Sequence, residues 1–257
     1  MKKSVKVRLY AGQKLIPGSL WIPETAQAHY LLTVLRLNIG DKLKVFDGCS
    51  GEYLAEISEA SKKNCVITIH EKLRDMAYSP DLWLLFAPVK KDKTDFIIAG
   101  ATELGVRKIM PVITQRTISE RIKKERFEAQ AIEAAEQCRR LDIPEISSSL
   151  PLENVLKNWP QNRILYFMDE SGHGECAAMA FGRAHPLPAA AILVGTEGGF
   201  SEEELQRLRA LPFAKGVSLG KRILRAETAV MAALSCWQAQ SGDWNPNYLE
   251  YVEGGKL

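Results

Sequence analysis

Two stretches in the last quarter of the chain carry residues spaced to grip a small molecule with backbone groups. The first is Ile192-Leu193-Val194-Gly195-Thr196-Glu197-Gly198-Gly199-Phe200, followed by Ser201-Glu202-Glu203-Glu204. The second is Val217-Ser218-Leu219-Gly220-Lys221-Arg222-Ile223-Leu224-Arg225-Ala226-Glu227-Thr228-Ala229. Each reads as a short buried strand, a glycine-bearing turn and a helix, and ligands of open α/β sheets sit at the carboxyl ends of strands, where such turns gather. Free amides in a turn of this kind bind a carboxylate, a hydroxyl or ring atoms; a tight structural turn uses the same residues. No Gly-Lys-Ser/Thr follows, which excludes a phosphate-cradling loop, and no Gly-x-Gly-x-x-Gly opens a helix, which excludes a dinucleotide fingerprint. In the second stretch Arg222 and Arg225 stand in an apolar loop, where a buried arginine needs an acidic or phosphate partner. Glu227 is the nearest acid, and a structural ion pair would account for it equally well.

The elements that must position these residues follow from the pattern of the whole chain. Its 257 residues suffice for one large or two smaller domains, with 46% hydrophobic and 25% charged residues, an ordinary globular balance. The start, Met1-Lys2-Lys3-Ser4-Val5, has charge but no apolar segment behind it, so no signal peptide is expected. The apolar runs are too short to span a bilayer. Five scattered cysteines fit free thiols in a reducing compartment better than a disulfide frame or a zinc site, so a cytoplasmic protein without a metal is expected. Residues 1–75 hold 12 Lys+Arg against 8 Asp+Glu, and the remainder 22 against 23. A basic first third beside a near-neutral remainder fits an anionic partner such as nucleic acid, or a solvated lysine-rich surface.

Residues 1–74 read as β-rich, with strands at Val5–Tyr10, Lys42–Phe46, Glu52–Ile57 and Cys65–His70 and a hairpin turn at Asp47–Gly51. One helix is expected at Thr25–Leu35, where Ala26, Tyr30, Leu31 and Val34 give a helical spacing. The whole resembles a small barrel. From residue 75 strands and helices alternate, the pattern of an α/β domain with a largely parallel sheet. Strands are expected at Leu82–Val89, Lys108–Ile113, Ile164–Met168, Ala190–Gly195 and Gly216–Leu219. Helices are expected at Asp92–Leu104, Lys123–Leu141, Ser201–Leu211 and from Ala226 to about Ala239, the third opened by a Ser201/Glu204 capping box.

Together, Gly195-x-Glu197-Gly198-Gly199-Phe200 and Leu219-Gly220-x-Arg222-Ile223-Leu224-Arg225-x-Glu227-Thr228-Ala229 resemble the SPOUT superfamily of RNA methyltransferases, and within it the RsmE family. The likeness extends to Leu85-Phe86-Ala87-Pro88-Val89-Lys90-Lys91-Asp92-Lys93, to Glu103-Leu104-Gly105-Val106 with Pro111, and to Glu133-Ala134-Ala135-Glu136-Gln137-Cys138. Near the start it includes His29, Leu31, Val34, Leu35, Arg36 and Gly40-Asp41. The chain departs from the family pattern at Thr196, where proline is usual, and at Cys138, where serine is usual; Thr196 is expected to loosen its turn slightly.

The resemblance implies an α/β fold, a SPOUT-type trefoil-knotted parallel sheet domain at 75–257 preceded by a PUA-like β-barrel RNA-binding domain at 1–74. It implies S-adenosylmethionine as cofactor, held by Gly195, Glu197, Gly198, Gly199, Leu219, Gly220, Ile223, Leu224 and Ala229, and a homodimer. The implied reaction is methylation of N3 of a uridine in 16S rRNA of the small ribosomal subunit. N3 must lose a proton, so a cation near a flanking carbonyl would favour the anionic base; Arg225 is the expected cation, oriented by Glu227. Arg8, Arg36, Lys90, Lys91, Lys93, Arg116 and Arg139 are the expected RNA contacts. Two other readings stand beside this one: a non-catalytic RNA-binding assembly factor, and a related methyltransferase acting on another RNA such as tRNA ribose.

Overall fold

The computed structural model describes residues 5–61, 64–118, 123–182 and 189–248; the charged start at residues 1–4 and the end of the tail lie outside them. The chain divides into two compact units, Met1–Tyr78 with Ala135–Ile143, and Ser79–Ala134 with Pro144–Leu257.

The first unit is a five-stranded curled sheet. Its strands are β1 (Arg8–Tyr10), β2 (Leu20–Trp21), β3 (Lys42–Phe46), β4 (Glu52–Ala60) and β5 (Cys65–Arg74), in the order β1-β3-β4-β5-β2. The alternation of Leu43, Val45, Tyr53, Ala55, Ile57, Ile67 and Ile69 puts one face of β3, β4 and β5 into a common core with Trp21, as a period of two requires. The expected hairpin turn between β3 and β4 is built on Asp47. Its carboxylate accepts from the backbone amides of Cys49 (3.0 Å), Ser50 (2.7 Å) and Leu15 (2.9 Å) and from the Ser50 hydroxyl. These donors hold the Asp47 carboxyl at about 2 although burial pushes it upward.

The helix expected at Thr25–Leu35 is shorter and wider: α1 (Thr25–His29) passes into a π-helical turn at Tyr30–Val34. The buried residues are not all those of the expected spacing. Ala28 and Leu31 are fully buried, whereas Tyr30 is 39% and Val34 58% exposed. A spacing argument that assumes 3.6 residues per turn misplaces side chains once the turn widens.

The second unit is a parallel sheet covered on both faces. Its strands are β6 (Leu82–Phe86), β7 (Lys108–Ile113), β8 (Glu145–Ile146), β9 (Leu150–Pro151), β10 (Arg163–Met168), β11 (Glu175–Cys176), β12 (Ala189–Val194) and β13 (Ala214–Ser218). The order is β11-β13-β10-β12-β6-β7-β8, with β9 also pairing β7. Leu82, Leu84 and Phe86, with Ala190, Ile192 and Val194, face one core together with α2 (Lys91–Glu103), α5 (Ala177–Gly182) and α7 (Ala226–Ser241). Leu85, Leu165, Phe167, Ala191 and Leu193 face the other, beneath α4 (Leu152–Lys157) and α6 (Glu202–Ala210). Burial on both faces is why these strands read as continuous apolar runs. The long helix α3 (Lys124–Cys138) belongs to this unit up to Ala134. The short β2, β8, β9, β11, α4 and α5 were not expected from the sequence. Among the described residues no helix is long and apolar enough to cross a membrane.

Arg8, expected at an RNA surface, is instead buried in the first unit. Its Nε donates to Glu52 Oε1 at 2.6 Å, its Nη1 and Nη2 donate to the carbonyls of Ala135 (2.7 Å) and Arg140 (2.6 Å), and its guanidinium lies 3.7 Å from the Phe46 ring centre. The carbonyls left open at the end of α3 need donors, and a planar fork with five N–H groups supplies several at once. An arginine on a short strand looks the same in sequence whether it turns out or in.

Candidate active site

Three neighbouring parallel strands, β13, β10 and β12, end on one edge of the sheet, so the loops that follow them converge. After β12 the chain turns through Gly195–Gly199 before Ser201 caps α6. The Ser201 hydroxyl accepts from the Glu204 amide, and the Glu204 carboxylate accepts from the Ser201 amide at 2.9 Å, closing the expected capping box. After β13 the loop 219–225 leads to Arg225, which is the N-cap of α7. After β10 comes Asp169-Glu170-Ser171-Gly172.

The three loops surround a cleft open to solvent. Gly195, Gly199, Leu219, Gly220, Ile223, Leu224 and Ala229, the residues expected to hold the cofactor, are among its lining. Glu197 and Gly198 are not. Glu197 pairs with Lys93 and the Gly198 carbonyl accepts from Arg116, so the outer half of the turn is braced from outside. Within the turn the Thr196 hydroxyl accepts from the Gly198 amide at 3.3 Å, and its carbonyl accepts from the Gly199 amide at 2.9 Å. Gly199 has φ +66°, and a Cβ there would overlap the Glu170 carboxylate. Only glycine meets both conditions without strain.

Sequence reasoning missed the wall made by Met168, Asp169 and Glu170. Asp169 is buried and its carboxylate accepts from Arg209 Nη2 (2.8 Å), from the Ser171 amide (3.0 Å) and from the Ser171 hydroxyl (2.5 Å). Burial pushes its carboxyl up, but these donors outweigh it and hold the group below the usual carboxylate range. The signal available was an acidic pair directly after an apolar strand.

The expected pairing of Glu227 with Arg225 does not form. Glu227 lies 3.6 Å from Lys93 Nζ, with its other oxygen buried and without a hydrogen-bond partner. Arg225 and Arg222 are both exposed, so neither needs an acid to offset burial. Two residues apart at a helix start, Arg225 and Glu227 point to different sides, and the first turn of α7 directs Glu227 to Lys93. Lys93 therefore contacts two carboxylates and is not a free phosphate contact. Arg36, Lys90, Lys91, Arg116 and Arg139 are exposed. Among the described residues no cluster of three or more His, Cys, Asp or Glu could hold a metal ion.

What the cleft offers is mixed: apolar side chains of Phe200, Leu219, Leu224 and Ala229 beside the carboxylate of Glu170 and the cations Lys221 and Arg222. That set suits a ligand with a flat ring, hydroxyls and charged ends.

Comparison with known proteins agrees with a chain of two parts. Residues 77–238 match the RNA methyltransferase domain family and residues 22–69 the RNA methyltransferase PUA domain, so the protein is an RNA methyltransferase with a PUA-like barrel ahead of a SPOUT domain. A Rickettsia conorii protein named ribosomal RNA small subunit methyltransferase E is 34% identical over 89% of this chain and 93% of its own length. The crystal structure of the Neisseria gonorrhoeae protein of that name, bound to S-adenosylmethionine, has a TM-score of 0.83 and 30% identity, covering 93% of this chain and 99% of that one. A Legionella pneumophila methyltransferase with bound S-adenosylmethionine has a TM-score of 0.83 and 30% identity over 92% and 98%. The chain belongs to the ribosomal RNA small subunit methyltransferase E family.

Proposed function

We propose that the protein transfers a methyl group from S-adenosylmethionine to N3 of a uridine in 16S rRNA of the small ribosomal subunit. The observation that carries this reading is the cleft at the ends of β10, β12 and β13. Two glycine-bearing turns line it beside the apolar side chains of Phe200, Leu219, Leu224 and Ala229, a combination that fits an adenosyl amino acid. The cofactor, when bound, supplies a methyl on a sulfonium, which is already electrophilic.

The residues of the chain then have three tasks. The turns at 195–199 and 219–224 hold the donor in line with the acceptor, so that transfer proceeds within one bound complex. Arg225, exposed at the start of α7, offers a positive charge to a uracil carbonyl and so favours the deprotonated base. Glu227 acts through Lys93: the pair links the first turn of α7 to α2, while Lys93 ties Glu197 of the first turn to the same point. N3 is hidden in a base pair, so the target uridine comes from a loop or leaves its pair.

The same reading gives residues 1–74 the task of holding RNA and 75–257 that of transfer. Arg36, Lys90, Lys91, Arg116 and Arg139 are its phosphate contacts. It includes a trefoil knot in the carboxyl-terminal part; the position of β10 between the later strands β12 and β13 supports that. It includes a homodimer, to which the exposed Phe96 on α2 and Met179 on α5 offer apolar surface, and a cytoplasmic location, where small subunits are.

The test is transfer of labelled methyl from S-adenosylmethionine to small subunits and naked 16S rRNA from a strain lacking this gene, with nucleosides read by mass spectrometry. N3-methyluridine formed by the wild type and lost in Arg225→Ala supports the substrate and the role of the arginine. Label on a ribose or on another base would overturn the substrate. No label on any RNA would overturn the activity.

A further inference from the structure

Glu170 has no counterpart in the reading above, yet it is the best placed acid in the cleft. We infer that Glu170 is a cofactor-binding residue whose carboxylate accepts hydrogen bonds from the ribose hydroxyls of the adenosyl group; this rests on S-adenosylmethionine being the cofactor.

Strand order gives the first argument. β10 lies between β12 and β13 in the sheet, so the loop carrying Glu170 meets the cleft between the two glycine-bearing turns. In an adenosyl amino acid the ribose is the middle of the molecule, between the adenine and the amino-acid end. A carboxylate rising from the middle strand therefore faces the ribose whichever outer turn takes the adenine. A cis-diol presents two donors and a carboxylate two acceptors, and acids at strand ends of α/β sheets read ribose hydroxyls in this way.

Glu170 is also held ready and uncommitted. Its neighbours on both sides are locked: the Asp169 carboxylate accepts from the Ser171 amide at 3.0 Å and is gripped by Arg209, and Arg209 Nη2 also donates to the Ser171 hydroxyl at 2.6 Å. Glu170, between them, is exposed and has no side-chain partner among the described residues. Its carboxylate rests against the backbone of Gly199, where any side chain would displace it. A fixed turn that leaves one acid free at a ligand cleft is arranged for an external donor. Asp169 cannot take that part, because Arg209 and Ser171 already occupy it.

The experiment is calorimetric titration of wild type and Glu170→Gln with S-adenosylmethionine, S-adenosylhomocysteine and the 2′-deoxyribose analogue of S-adenosylhomocysteine. Glu170→Gln should weaken the first two ligands alike, by roughly tenfold or more as expected for hydrogen bonds to a charged acceptor. It should also lose most of the wild type's preference for S-adenosylhomocysteine over its deoxy analogue. Weaker binding of the sulfonium ligand alone would assign Glu170 to the positive charge and overturn the proposal, as would unchanged affinities. A wild type that binds neither ribose ligand would overturn the cofactor assignment itself, a result distinguishable from failure of Glu170 alone.

Discussion

Replacing Arg8 by methionine separates a structural arginine from an RNA contact. The Arg8 and Glu52 side chains are only 5% and 2% exposed and meet at 2.6 Å, so removing the cation leaves a carboxylate in the core of the first unit. Breaking a buried pair in this way costs about 3–5 kcal/mol. The carbonyls of Ala135 and Arg140 lose their donors as well, each worth about 1 kcal/mol or more. Two other cations limit the damage, since Lys44 stands 3.9 Å and Arg74 4.0 Å from the Glu52 carboxylate. The net expectation is about 3 kcal/mol, which is roughly a hundredfold change in an opening equilibrium. Amide hydrogen exchange reads this locally: protection in β1, β3 and β4 should fall by about that factor in Arg8→Met, while β6 and β12 keep theirs. The double variant Arg8→Met/Glu52→Gln should recover part of the loss, because no charge is then stranded. Unchanged protection in Arg8→Met, together with weaker RNA binding, would refute the reasoning and return Arg8 to the RNA surface.

Two further outcomes test the first unit. Gly51 has φ +122°, and a Cβ there would overlap the backbone carbonyl of Arg74; since backbone cannot swing aside, Gly51→Ala should cost more than about 2 kcal/mol, read as a lower urea midpoint. Asp47, with its carboxyl at about 2, contributes stability that is complete above its ordinary value near 4 and is lost as pH falls through about 2. The gap between wild type and Asp47→Asn should thus be about 2 kcal/mol near neutrality and close as the pH approaches 2 in thermal melts. A gap that widened on acidification would contradict the sign of that argument.

What the chain reveals on its own is what local physics decides. Strands buried on both faces must be apolar throughout, so the runs at Leu82–Val89 and Ala190–Gly195 were legible as strands of a largely parallel sheet, observed at Leu82–Phe86 and Ala189–Val194. Capping and turn chemistry are also local: Ser201 with Glu204, the Asp47 turn and Gly199 with its positive φ all stand where their residue types require. Most of the cleft lining followed from those turns together with the family resemblance. What required the tertiary structure was the direction of individual charged side chains. Arg8 went inward to the end of α3, Glu227 turned to Lys93 rather than to Arg225, and Glu197 left the cleft for the same lysine. Each partner is far away in sequence, and a charge can be satisfied by any of several opposite charges or by water, so spacing along the chain does not choose between them. The place of Glu170 depends on tertiary structure in the same way. Only the order of strands in the sheet, which places β10 between β12 and β13, brings an otherwise unremarked acid to the middle of the cleft.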